Sequence, residues 1–223
     1  MVQVTAIFVT GASSTGKTTL CLALEKRLKA AGIPVFHVSE VARTVMKEQG
    51  FNRELVATLA MQRAILRAQI EAETVSLQKI ARLFDSFGPG VEGTPATVVL
   101  LCDRCAIDPV VYATMKLDAG LVSSLTSEQP FRDAVARYGG LSPTAYQSSQ
   151  PVILRPIVVL VTGVKEWQGH DDGVRNLDDP FEVTEYFRQT LEKWNIGYEE
   201  IGENIKNIDR RVDWVLDIAG LNG

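Results

Sequence analysis

Residues Gly11-Ala12-Ser13-Ser14-Thr15-Gly16-Lys17-Thr18 spell the pattern G-x-x-x-x-G-K-[ST], and they stand between an apolar run at 4–9 and a stretch in which Leu20, Cys21, Leu24 and Leu28 recur at helical spacing. Glycines at both ends of such a loop let consecutive backbone N–H groups turn inward. The helix that follows adds its partial positive charge, so main chain can hold a triphosphate. Gly11, Ser13, Ser14, Thr15, Gly16, Lys17, Thr18 and Thr19 are therefore the expected nucleotide-binding residues. Lys17 is expected to reach the β- and γ-phosphates and Thr18 to ligate magnesium. The first helix should close at Gly32, ahead of Ile33-Pro34.

The rest of the chain alternates strands with helices, the pattern of a parallel sheet covered on both faces. Strands are expected at 4–9, 35–38, 97–101, 152–161 and 198–201, the fourth interrupted near Pro156. A long helical stretch, continuous or broken, runs from about Asn52 to Phe84, with Leu55, Leu59, Leu66 and Ile70 among its apolar positions, and glycines from Gly88 to Gly93 end it. Asp108-Pro109 reads as the N-cap and first position of another helix. Asp179-Pro180-Phe181-Glu182 heads a further helix, with Val183, Phe187, Leu191 and Trp194 on one face. A last helix buries Ile208, Val212, Val215 and Ala219. Residues 121–150 give no clear pattern.

With 223 residues, 46% of them hydrophobic, one α/β domain spanning 1–223 is expected. A formal charge of -4 disfavours nucleic acid and anionic membranes as partners and favours a small ligand. No apolar run approaches the roughly 20 residues of a membrane span, and no basic leader precedes the first strand, so a cytoplasmic protein is expected. Cys102 and Cys105 have C-x-x-C spacing, but only Cys21 joins them and His37 and His170 are the only histidines, so neither a zinc site nor a working dithiol is expected. Asp85-Ser86-Phe87-Gly88 has the D-x-x-G form of a GTPase motif, yet it ends a helical stretch, and no N-K-x-D occurs. The third strand ends Cys102-Asp103-Arg104, without the Asp-Glu pair usual in hydrolytic motors.

Gly11 to Leu20, Glu40-Val41-Ala42-Arg43, Asp103-Arg104 followed by Asp108 and Tyr112, and Asp171-Asp172-Gly173-Val174-Arg175 together resemble the ordered motifs of the nicotinamide riboside kinase-like P-loop family, often labelled AAA domain. The similarity covers nearly the whole chain; Cys105 stands where that family usually has serine. The resemblance implies a five-stranded parallel sheet in the order 2-3-1-4-5 with helices on both faces. It also implies a lid at about 163–178, and a fold related to deoxynucleoside and thymidylate kinases. ATP and magnesium would be the cofactors and a nucleoside-like small molecule the phosphate acceptor. A nucleotide-hydrolysing regulatory module and a nucleoside monophosphate kinase are the alternatives; the latter needs an arginine-lined pocket, for which Arg43, Arg63 and Arg67 are candidates.

Five residues are candidates for catalysis: Lys17, Glu40, Asp103, Arg104 and Arg175. The resemblance places Glu40 at the acceptor hydroxyl, where a weak base suffices for a loose transition state; an acid favoured by a helix N-terminus is the plainer reading. Asp103, at the carboxyl end of a central strand, is expected to join Thr18 at the metal, or else to accept the proton. Arg104 would clamp acceptor or phosphate, or form a surface ion pair. Arg175 would close over the γ-phosphate, or lie in a solvated charged loop. Gln62, Arg63 and Gln69 would wall the acceptor pocket, Trp167 would stack on a ligand or pack, and the adenine would lie near Gly202-Glu203-Asn204 by analogy of fold.

Overall fold

A strand whose two faces are both apolar needs parallel neighbours and helices on either side. The first strand, β1 (Val2–Thr10), has that character: Ala6 and Phe8 are fully buried toward one face, Ile7 and Val9 toward the other. The computed structural model describes residues 2–87, 95–141, 152–167 and 178–222. Four more strands join β1: β2 (Val35–Val38), β3 (Val98–Asp103), β4 (Val152–Val161) and β5 (Glu199–Ile201). All pairings are parallel and the order is β2-β3-β1-β4-β5, as the resemblance implies.

Among the described residues eight α-helices connect them: α1 (Lys17–Ala30), α2 (Val41–Gln49), α3 (Leu59–Phe87), α4 (Ile107–Lys116), α5 (Ala119–Thr126), α6 (Gln129–Tyr138), α7 (Pro180–Lys193) and α8 (Ile208–Ile218). On one face Leu20 and Leu24 of α1 and Val215 of α8 pack on Ile7, Val99 and Leu101. On the other, Leu66 of α3, Phe131 of α6 and Phe187 of α7 pack on Phe8, Leu100 and Leu160. Each such fully buried side chain contributes about 1.5–3 kcal/mol. No helix among the described residues is long and apolar enough to cross a membrane.

Two sequence expectations are corrected, and two stretches that the sequence left open are settled. Strand β4 is unbroken at Pro156, which sits opposite Ala6 of β1. Only Val159–Val161 of β4 pair with β5, so Pro156 lies where the outer edge has no partner strand and its missing N–H costs no ladder bond. The long helical stretch is divided: a 3₁₀ turn at Arg53–Ala57, capped by Asn52, precedes α3, and Leu55 stands on that turn, exposed. Helix α4 starts at Ile107 with Ala106 at its N-cap, so Asp108 lies in the first turn and caps nothing from outside. Residues without a readable pattern form α5 and α6. Asp179 does cap α7, its Oδ1 accepting from the Phe181 N–H at 3.0 Å.

Because every strand is parallel, β1, β2, β3, β4 and β5 end on one edge, at Thr10, Val38, Asp103, Val161 and Ile201. The turns and helix starts that leave that edge carry Lys17, Thr18, Glu40, Arg104 and Asp108.

Candidate active site

After Thr10 the chain has to turn sharply beneath the end of β4. Gly11 (φ +135°) does so where a Cβ would come 2.3 Å from the Val161 carbonyl oxygen, a backbone clash that no other residue escapes. Ser14 also takes a positive φ, and Gly16 (φ +88°) caps α1, so the loop coils around its own N–H groups ahead of a helix N-terminus. Thr15 is turned inward, its Oγ1 donating to the Ala12 carbonyl at 3.0 Å.

Lys17 is buried, and its Nζ donates to the Ala12 carbonyl and lies 3.4 Å from Thr15 Oγ1. Burial, and then the nearby Arg104 charge, lower its pKa to about 7 against the pull of Asp108, Asp103 and Glu40. An anion seated on the loop would restore the charge. Thr18 donates to Asp103 Oδ2 at 2.6 Å. The other carboxylate oxygen, Asp103 Oδ1, is buried without a partner among the described residues, and burial raises the Asp103 pKa despite the Thr18 bond. An orphaned, buried carboxylate oxygen beside a threonine hydroxyl is a hard-oxygen site suited to a divalent cation. No group of three acidic, histidine or cysteine side chains among the described residues could hold a metal alone, so any ion there needs ligands from a bound phosphate or water.

Glu40 is the N-cap residue of α2, yet its side chain caps nothing. Oε1 accepts from Arg104 Nε at 2.9 Å and Oε2 from Arg43 Nε at 3.0 Å. Burial pushes this carboxyl up, but the two arginines together outweigh it and hold the group below its ordinary value. Arg104 is itself in the left-handed region (φ +85°), and its Nη1 donates to Asp108 Oδ1 at 2.8 Å. Burial disfavours its charge, while Asp108 and Glu40 more than offset that. Asp108 Oδ2 takes hydrogen bonds from Thr10 Oγ1 (2.7 Å) and the Cys105 N–H (3.0 Å), which is why it cannot act as an N-cap. The aspartate thus ties β1, the turn after β3 and Arg104 together.

These groups open into one cleft. Ser13, Lys17, Thr18 and Thr19 form its loop side, Glu40, Arg104 and Asp108 its charged floor. Apolar Met46, Met61 and Ile65 face them, and Tyr112 shares a 3.3 Å hydrogen bond with Ser13.

Of the expected acceptor wall, Gln62 lines the cleft, its Nε2 donating to the Val56 carbonyl at 2.8 Å. Arg63 does not: its Nε pairs with Glu128 Oε1 at 2.7 Å, and Arg67 joins the same carboxylate, because α3 turns that face toward the start of α6. Gln69 is turned away too, to the Arg104 carbonyl (3.0 Å) and Glu73 (3.1 Å). Arg175, with Asp171 and Asp172, lies outside the described residues, as does most of the expected lid. The cysteines are buried, with burial pushing all three thiols up, so none is poised to react.

Sequence reasoning missed Arg211, whose side chain is 1% exposed. Its Nη1 donates to the Thr15 carbonyl (3.3 Å), Nη2 to Gly202 (3.0 Å) and Nε to Ile205 (2.6 Å), and its guanidinium lies 4.5 Å from the centre of the half-exposed Trp167 ring. The available signal was a charged residue between Ile208 and Val215 on the apolar side of α8.

A family model for an AAA domain matches residues 6–211. Among solved structures, NadR protein in complex with NR superposes with a TM-score of 0.62 at 17% identity, covering 98% of this chain and 52% of that one. NadR protein in complex with NAD and AMP-PNP gives 0.60 at 15% identity, covering 100% and 51%. The thymidylate kinase from Ehrlichia chaffeensis gives 0.50 at 15%, covering 98% and 99%. The chain therefore spans about half the length of the NadR chains and nearly all of the thymidylate kinase. A search of curated proteins finds no match. The family match over most of its length, together with the sheet order and this likeness, shows that the chain belongs to the AAA domain family and has the fold of the nicotinamide riboside kinase-like P-loop proteins.

Proposed function

We propose that this protein is an ATP- and magnesium-dependent kinase that moves a phosphoryl group to a hydroxyl of a small acceptor, a nucleoside or a nucleoside-like compound. The observation that carries the reading is the one cleft that the phosphate-loop residues Lys17 and Thr18 share with the ion-paired Glu40 and Arg104 and with apolar Met46, Met61 and Ile65. A hydrolase needs only a nucleotide seat and a water. A second, partly apolar compartment continuous with that seat suits a second substrate.

Thr18 and Asp103 would hold the magnesium ion, whose charge would offset that developing on the phosphates. Lys17 and the loop N–H groups hold the transferring end in line with the cleft. Glu40, fixed from both sides by Arg104 and Arg43, orients the acceptor hydroxyl and takes its proton late, a task that a weakly basic carboxylate can perform when the transition state is loose. Arg104 braces Glu40 and faces the acceptor. Arg175 is assigned by resemblance to close over the γ-phosphate.

The monophosphate-kinase alternative fits less well, since Arg63 and Arg67 are spent on Glu128 outside the cleft and Arg43 already pairs with Glu40. Incubation with magnesium, ATP and a panel of nicotinamide riboside, thymidine, uridine and adenosine tests the reading. Stoichiometric phosphorylation of at least one of them is expected, lost in Lys17→Ala. ATP hydrolysis at the same rate with and without every acceptor would instead identify a regulatory hydrolase.

A further inference from the structure

Behind the cleft, where no substrate reaches, the core encloses a charged residue that the transfer chemistry does not use. Glu73 of α3 is 0% exposed. Its carboxylate accepts from Arg137 Nη2 (3.1 Å), from the Tyr138 hydroxyl (2.9 Å) and from Gln69 Nε2 (3.1 Å). A buried ion pair of this kind is a poor source of stability, because desolvation consumes most of the attraction and apolar residues of similar volume do as well or better. The purpose of the network lies in where its hydrogen bonds end.

They end on the turn that carries Arg104. The second amide hydrogen of Gln69 goes to the Arg104 carbonyl at 3.0 Å, and the Tyr138 hydroxyl receives the Ala106 N–H at 2.9 Å. Between them Arg104 takes a left-handed φ of +85°, a conformation that strains a non-glycine residue and persists only where the surroundings over-determine it. The remaining peptide groups of the turn are also held, the Arg104 N–H by the Val9 carbonyl (2.9 Å) and the Cys105 N–H by Asp108.

We propose that Glu73 is a positioning residue: through Gln69 and Tyr138 it fixes the backbone of Arg104–Ala106 in its strained turn, and so holds the Arg104 guanidinium against Glu40 in the acceptor site. The inference rests on the kinase reading for its functional meaning, but its geometry can be tested without it. Helix α3 thereby serves the site from its buried side, and the Glu73 charge orients a Tyr hydroxyl and a Gln amide that an apolar core could not aim.

The experiment uses the full chain and three variants, Gln69→Met, Tyr138→Phe and Glu73→Gln, beside Phe131→Leu as a packing control in the same core. The Nε–H resonance of Arg104, assigned by its absence in Arg104→Lys, is followed by ¹⁵N NMR. In parallel, kcat and KM are measured for the panel nucleoside that wild type phosphorylates fastest. Gln69→Met and Tyr138→Phe are expected to shift that resonance and speed its exchange. They should also raise the nucleoside KM and lower kcat/KM by about tenfold, with the Kd for ATP within twofold of wild type. Phe131→Leu should lower Tm and leave both readouts unchanged. Should Glu73→Gln fail to fold, the other two variants decide. A wild-type resonance and wild-type acceptor constants in both of them, with only Tm reduced, overturn the proposal. If wild type phosphorylates no nucleoside, the kinase reading fails by itself and the Arg104 resonance alone decides this one.

Discussion

Lys17 is the residue whose chemistry depends most on what fills the site. Its pKa is about 7 in the folded chain against 10.5 in an unfolded one, because burial and then the neighbouring Arg104 charge disfavour its ammonium form. Between pH 7 and 10.5 the unfolded chain therefore binds more protons, and stability rises with pH through that window; below pH 7 both states are protonated and the penalty is fully present. Nucleotide binding reverses the preference. At pH 8.5, ATP binding should take up about one proton, seen by calorimetry in buffers of different ionisation enthalpy, and the uptake should vanish in Lys17→Ala. Uptake unchanged in the variant would remove Lys17 from the phosphate site. The two acids are separable in the same way. Asp103→Asn should move the magnesium concentration for half-maximal activity upward by roughly tenfold, while Glu40→Gln should lower kcat by about 10²–10⁴-fold with ATP affinity nearly unchanged. A magnesium titration displaced only in the Glu40 variant exchanges their roles.

At the scale of elements, the phosphate loop is fastened by α8 as well as by its own Thr15 and Lys17 bonds to Ala12. Arg211 bonds three carbonyls, one in the loop and two in the turn after β5, and so joins segments 196 residues apart in sequence. Replacing it leaves those buried carbonyls without their donors, so Arg211→Met should cost about 2–3 kcal/mol, a Tm lower by roughly 5–10 °C. The KM for ATP should rise more than kcat falls, since the loop's seat is loosened and not its chemistry. Unaltered Tm and ATP affinity would make the contact incidental. Trp167, stacked on the same guanidinium and 3.1 Å from where a Gly16 Cβ would be, crowds that end of the loop, where the Gly16 φ of +88° already favours glycine. Neither tie was legible in sequence, because a motif records neighbours along the chain and these contacts are made across the fold. Helices α5 and α6 escaped notice for a related reason: Asp118 and Glu128 cap them without side-chain bonds, and their burial is decided by the helices they meet.

For the molecule as a whole, the strand runs and the phosphate loop were legible because each is set by local patterning, and the sheet order followed from resemblance. The candidate site was half legible: Glu40, Asp103 and Arg104 were named, but the pairing of Arg104 with Glu40, the bond from Thr18 to Asp103 and the recruitment of Asp108 depend on β1, β2 and β3 ending side by side. That common edge also means that a ligand there touches both layers, α1 from one face of the sheet and α2 and α4 from the other. Occupancy should therefore stabilise the chain cooperatively and not only quiet a loop. At a hundred times its Kd a ligand specific to the folded state adds about 2.7 kcal/mol. For a chain of this size that corresponds to a Tm higher by roughly 5–10 °C. Magnesium with ATP should give that shift in a single transition, magnesium alone almost none, and Lys17→Ala little with either. A melt that divides into two transitions, with only one responding to nucleotide, would mean that the layers on the two sides of the sheet do not share the site.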